Sequence, residues 1–167
     1  MIYVGIILFL LIVGDLALQY YNKWKTKKLS ISIKEALEKT GFPLIEVEHN
    51  QLQCYFLIDT GANLSQINSD FNDQLSLTML DYKSTATGVE GVEKEMAWVK
   101  FDFKFKKYPM ELEMQNAPIP GFKIFYEYQI PVVGILGNDF LQKYGCVISY
   151  KDLVIYPNLD SIKNRKK

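Results

Sequence analysis

Histidine is almost missing from this chain: His49 is the only one in 167 residues, and cysteine stops at two, Cys54 and Cys146. One histidine cannot build a zinc site, nor serve a Ser-His or Cys-His triad with any other group visible in the sequence. The two cysteines fall in segments that read as strands and are expected to be small buried apolar residues, while His49 is expected in an exposed turn. Net charge is missing too, because 19 basic residues balance 19 acidic ones. No bulk field then draws the chain to nucleic acid, and no metal or other cofactor is expected. Glycine (10) and proline (6) are sparse while aromatic residues reach 14%, which sets disorder aside and suits one folded domain with a real core.

Long apolar runs are lacking everywhere except at the N-terminus. Residues 1–13 are nearly all apolar, and only Asp15 interrupts the run before Tyr20 and Tyr21. That length, ~20 residues, is enough for one membrane-spanning helix. Asp15 would lie near its end, with Tyr20, Tyr21 and Trp24 in the interfacial belt. A cleaved signal peptide is the competing expectation. Against it, no Lys or Arg precedes the run and no small-x-small pair follows it. Lys23, Lys25, Lys27 and Lys28 directly after the span place the folded domain in the cytoplasm by the positive-inside rule. The expected organisation is a single-pass membrane anchor (residues 1–21), a basic juxtamembrane linker with a short helix (22–42), the folded domain (43–157) and a basic tail (158–167). The helix is expected over residues 33–40, opened by the capping box Ser32-Ile33-Lys34-Glu35 and closed by Gly41.

The domain reads as β throughout. Residues 44–47 and 52–58 alternate on either side of a turn at Glu48-His49-Asn50-Gln51, which lacks a glycine. Val99, Phe101, Phe103 and Phe105 alternate with charged neighbours, as do Met110, Leu112 and Met114, so these stripes are core by period. Short helices are expected at 69–75 and 139–144. The stretch before residue 132 is long and aromatic.

The first hairpin delivers the apolar strand Cys54-Tyr55-Phe56-Leu57-Ile58 directly into Asp59-Thr60-Gly61-Ala62. An acid at the end of a buried strand, followed by a hydroxyl and a glycine, holds a carboxylate in a rigid, partly dry turn. Gly61 permits a sharp bend and close approach, and Thr60 offers a hydroxyl that can brace the turn. A plain strand-connecting turn suits the same residues. A second segment runs Val132-Val133-Gly134-Ile135-Leu136-Gly137-Asn138-Asp139-Phe140-Leu141, followed by a closing strand pair.

The two segments in this order resemble the retropepsin-like aspartic proteases, over roughly residues 43–156; Ser65 and Ile67 also match the family pattern. The resemblance implies an all-β, closed barrel-like fold with one or two short helices. It also implies that Ile135, Leu136 and Gly137 pack beside the turn bearing the catalytic Asp59. Gly88, Val89, Glu90 and Gly91 would form the tip of a flap over the substrate, although an ordinary glycine-rich loop fits these residues equally. Peptide hydrolysis by this family needs two carboxylates sharing a proton. With one Asp-Thr-Gly per chain, the second acid must come from another copy across a two-fold axis. The resulting expectation is a membrane-anchored homodimeric aspartic endopeptidase acting on a peptide or protein substrate. The alternative is a catalytically inactive binding or scaffold module of the same fold at the membrane.

Overall fold

The computed structural model of the chain describes residues 2–87 and 93–158. The candidate flap residues Gly88, Val89, Glu90 and Gly91, and the basic tail beyond residue 158, lie outside the described residues. The chain divides into two compact units, Met1–Ser30 and Ile31–Lys167.

The first unit is one helix, α1 (Ile2–Leu29). Its apolar side chains from Ile6 to Leu18 are 45–66% exposed. Tyr21 and Trp24 approach with ring centroids 6.3 Å apart, and the Lys28 ammonium sits 4.8 Å from the Trp24 ring. Among the described residues no helix is long and apolar enough to cross a membrane, which corrects the span expected over residues 1–21. The apolar stretch of α1, residues 2–21, carries polar side chains toward its end. Asp15 and Gln19 fall inside that stretch and bond to each other, Gln19 Nε2 donating to Asp15 Oδ2 at 2.7 Å.

The second unit begins with β1 (Ile31–Ser32) and the short helix α2 (Lys34–Thr40). Ser32 Oγ accepts from Lys34 N, and Gly41 closes α2 in the left-handed region at φ 78°. There follow β2 (Leu44–His49), β3 (Leu52–Ile58), β4 (Gln66–Asn68), β5 (Thr78–Thr87), β6 (Glu93–Phe105) and β7 (Tyr108–Ala117). Then come α3 (Ile124–Glu127), β8 (Val132–Leu136), α4 (Asn138–Lys143), β9 (Val147–Ser149) and β10 (Val154–Tyr156). Among the described residues, seven strands form one sheet in the order β2-β3-β8-β4-β7-β6-β5, and pairing of Glu48 with Lys104 joins β2 to β6. That pairing closes the sheet into a barrel. A second, smaller sheet is formed by β1, β10 and β9.

Two parallel pairings set up the site. β3 runs parallel to β8, with Leu57 opposite Ile135 and Ile58 opposite Leu136, so Asp59 and Gly137 leave the sheet at the same end. β4 then turns back antiparallel to β8 and parallel to β7. Alternation explains which side is buried. Cys54, Phe56 and Ile58 fill the barrel with Val99, Phe101, Phe103, Phe105, Met110, Leu112 and Met114, each large apolar side chain contributing about 1.5–3 kcal/mol. On the outer face of β3 and β8 a second apolar cluster forms around Leu44, Phe122, Phe125 and Val132, with Phe42, Tyr55, Leu57, Ile119, Ile130 and Ile135 packed on it. The aromatic stretch before β8 thus folds as a 3-10 turn (Pro120–Lys123) and α3, covering this face.

Three local expectations are corrected. His49 is not exposed but 1% accessible. Its Nδ1 donates to the Asp102 carbonyl at 2.6 Å, Nε2 accepts from Asn50 Nδ2 at 3.2 Å, and the ring stacks on Phe101 at 4.4 Å. The helix expected over 69–75 is only a 3-10 turn, Ser69–Phe71, opened by Asn68 Oδ1 accepting from Asp70 N. Cys146 precedes β9 and is half-buried, whereas Cys54 is fully buried.

Candidate active site

Asp59 continues the outward alternation of Tyr55 and Leu57, so its carboxylate leaves β3 on the outer face, half-buried. Its own N–H donates to the Leu136 carbonyl at 3.1 Å, which extends the β3–β8 ladder by one residue. Gly61 N donates to Asp59 Oδ1 at 2.8 Å, and Ala62 N to the Asp59 carbonyl at 3.2 Å. A Cβ on Gly61 would stand 3.2 Å from Asp59 Oδ1. Glycine therefore serves close approach at this position; its backbone is not left-handed.

The turn is clamped from the far end of the chain. Asn138 N donates to the Ala62 carbonyl and Asn138 Nδ2 to the Thr60 carbonyl, both at 2.9 Å. Asp139 N donates to the Asn63 carbonyl at 3.2 Å. Beneath these, Ser65, 0% exposed, accepts from Gly137 N at 2.9 Å and donates to Asp139 Oδ1 at 2.6 Å. That same oxygen accepts from Phe140 N at 2.7 Å. The Ser65 hydroxyl and the inward carboxylate oxygen of Asp139 are thereby satisfied without water, as a buried network requires. A Cβ on Gly137 would meet the Ala62 carbonyl oxygen at 2.8 Å and the Leu64 carbonyl carbon and oxygen at 2.9 Å. One on Gly134 would collide with the Gln66 carbonyl and stand 2.7 Å from Phe56 Cε1.

The structure thus brings Asp59, Thr60, Gly61 and Ala62 together with Leu136 and Gly137; Ile135 stands beside Leu57 and faces the outer cluster instead. Thr60 is exposed, and among the described residues its hydroxyl has no partner; its carbonyl, not its side chain, braces the turn. Asn138, the clamp, escapes a reading by residue type, and the one available signal is its place directly after Gly137 at the start of α4.

Other chemistries are poorly served. Burial pushes the Cys54 thiol up to about 11 and the Cys146 thiol up to about 12, far from the low values of nucleophilic cysteines. Both ring nitrogens of His49 are spent on structure. Among the described residues no group of three or more His, Cys, Asp or Glu side chains could hold a metal. Asp139, the other acid of the site, is committed to Ser65 and Phe140.

No family model and no curated protein matches the chain. Among solved structures, the retroviral protease-like domain of Ddi1 from Leishmania major is similar over 69% of this chain and 86% of its own, with TM-score 0.50 and 13% identity. EIAV protease complexed with the inhibitor HBY-793 matches 62% of this chain and 88% of its own, with 28% identity and TM-score 0.44. The first similarity, together with the paired parallel strands and the glycine-wedged acid, identifies the fold: it is that of the retropepsin-like aspartic proteases.

Proposed function

We propose that this chain is an aspartic endopeptidase that works as a homodimer, held at a membrane by α1 with the folded unit on the cytoplasmic side. The observation that carries the proposal is the Asp59 carboxylate. It is fixed by Gly61 N and by a turn wedged against Gly137, while Asp139, the other acid of the site, is committed to Ser65 and Phe140. Aspartic hydrolysis uses two carboxylates that share one proton. The ionised Asp59 of one copy takes a proton from water as the water oxygen bonds to the scissile carbonyl carbon. The protonated Asp59 of the other copy gives its proton to the carbonyl oxygen. Collapse of the tetrahedral intermediate breaks the C–N bond, and the amine leaves with the proton first taken from water. Rigidity of the turn matters because the acids must already be aimed when charge develops.

Attachment to lipid is supported by the exposure of Ile6 through Leu18 along α1 and by the aromatic and lysine pair Trp24 and Lys28 at its far end. The full chain is then expected to sediment with membranes and to resist release by salt. Recovery in the salt wash would remove this part of the proposal.

Asp59→Asn is expected to abolish peptide cleavage with an unchanged thermal transition. Adding excess Asp59→Asn protein to wild type is expected to suppress activity beyond dilution, because mixed dimers carry one acid. Cleavage that survives Asp59→Asn would sink the assignment, and a chain that cleaves nothing would be a non-catalytic module of this fold.

A further inference from the structure

Cross-strand partners share a face of a sheet, and the register places one row of side chains across five strands. Leu57 stands opposite Ile135, Ile135 opposite Gln66, Gln66 opposite Gln115, and Gln115 opposite Trp98. This row lies on the outer face, the face from which Asp59 emerges; its Leu57 and Ile135 pack on the outer cluster, and the carboxamides stand farther across the sheet on β4 and β7. The period of two adds Asn68 beside Gln66. The row is apolar near the acid and then changes to carboxamides.

These carboxamides are buried or half-buried, and one polar atom among them, Asn68 Nδ2, is buried without a partner. Gln115 is 7% exposed, and its side chain bonds to no other described residue. Asn68 is 1% exposed; its Oδ1 accepts from Asp70 N and Ile119 N, yet its Nδ2 is buried without a partner. Gln66 is half-buried and spends only Nε2, on the Ala117 carbonyl at 3.3 Å. Buried amides left unpaired are costly, and natural structures keep them where a ligand or water completes them.

We propose that Gln66, Asn68 and Gln115 form a subsite that recognises an uncharged polar side chain of the substrate, one that both donates and accepts, above all Gln or Asn. The proposal rests on the peptide-hydrolase reading and adds the substrate class. Strands stand about 4.8 Å apart, so the carboxamides lie about 10–14 Å across the sheet from β3, and an extended peptide advances about 3.3 Å per residue. The recognised side chain therefore belongs two to four residues from the bond that is cleaved. A subsite built to hydrogen-bond rejects an isostere that leaves its polar groups unpaired.

The test uses the full-length chain. Peptides that differ only in carrying Gln or its isostere Met, two to four residues from the cleaved bond, are compared as substrates. The same peptides are titrated onto Asp59→Asn protein, which reads binding without turnover. The expected result is kcat/KM and affinity at least tenfold higher for Gln at one of these positions, with the preference abolished or reversed in Gln66→Met/Gln115→Met. Each single variant gives the same reading should the double variant fail to fold. Equal affinity for Gln and Met peptides, or a preference that survives these substitutions, overturns the subsite. Absence of cleavage with the binding preference intact overturns the hydrolase reading and leaves the subsite standing.

Discussion

Strand β3 has a tight turn at each end, and the two are held in opposite ways. At its start the chain reverses through Asn50 and Gln51, both left-handed at φ 47° and 69° although neither is glycine. The turn itself is exposed, and its anchors are near neighbours and the adjoining seam: Asn50 on His49, His49 on Asp102, and Lys104 on Glu48 at 2.5 Å. At its end, around Asp59, the pattern inverts. Gly61, Gly134 and Gly137 all have ordinary backbone; a Cβ on Gly134 or Gly137 would collide with backbone, and one on Gly61 would crowd the Asp59 carboxylate. The partners there lie 72–78 residues away in the chain. Strain is tolerated where the chain only has to turn back; close packing is demanded where a carboxylate has to be aimed.

The largest effect expected from breaking this contrast is at Gly137. Its Cβ in Gly137→Ala would press on the backbone of Ala62 and Leu64, and backbone cannot swing aside as a side-chain tip can. Overpacking of this kind costs about 3 kcal/mol. The Asp59 turn should be pushed away from α4 at the same time, so activity should fall even where chemical denaturation shows the protein still folded. A Gly137→Ala protein with wild-type stability and turnover would mean that the wedge does not position the acid.

Much of this contrast could be read before folding, and the unread part has a common cause. Phe101, Phe103 and Phe105 announced β6 by alternation, and the strand into Asp59 was plain from its apolar run. The pairing of Asp59 with the Gly137 segment came only through the family resemblance of the two motifs. The burial of His49 is not legible in sequence, because a polar residue beside a turn is usually solvated. Its burial depends on Phe101 and Asp102, which reach it only when β2 meets β6. The fold of residues 120–127 was equally illegible. Phe122 and Phe125 share a helical spacing of three, but the surface they cover is the outer face of β3 and β8, which exists only after those strands pair. The Asn138 clamp and the Ser65–Asp139 lock are likewise tertiary facts.

At the other end of β3, His49→Phe should cost less than the glycine substitution and leave catalysis alone. The stack on Phe101 survives, but the Asp102 carbonyl loses its donor in a buried place, a penalty of about 1–3 kcal/mol. Thermal or urea unfolding should show that loss with kcat unchanged. A loss of turnover matching that of Gly137→Ala would show that the two ends of the strand are not independent.

The smallest effect expected runs the other way. Gln51 sits at φ 69° with an exposed side chain for which no bond to another described residue sets a use. A left-handed backbone costs an L-residue about 1–2 kcal/mol, and glycine escapes that cost while giving back part of it as extra freedom in the unfolded chain. Gln51→Gly should therefore stabilise the protein by about 0.5–1 kcal/mol, read as a raised urea midpoint with an unchanged slope, and should leave cleavage untouched. The matching change at the site end, Gly61→Gln, meets the Asp59 carboxylate instead of open solvent and should reduce turnover. If Gln51→Gly destabilises the protein, the strain at this turn is repaid by contacts of the Gln51 side chain, and the contrast between a strained, tolerant turn and a crowded, exacting one no longer holds.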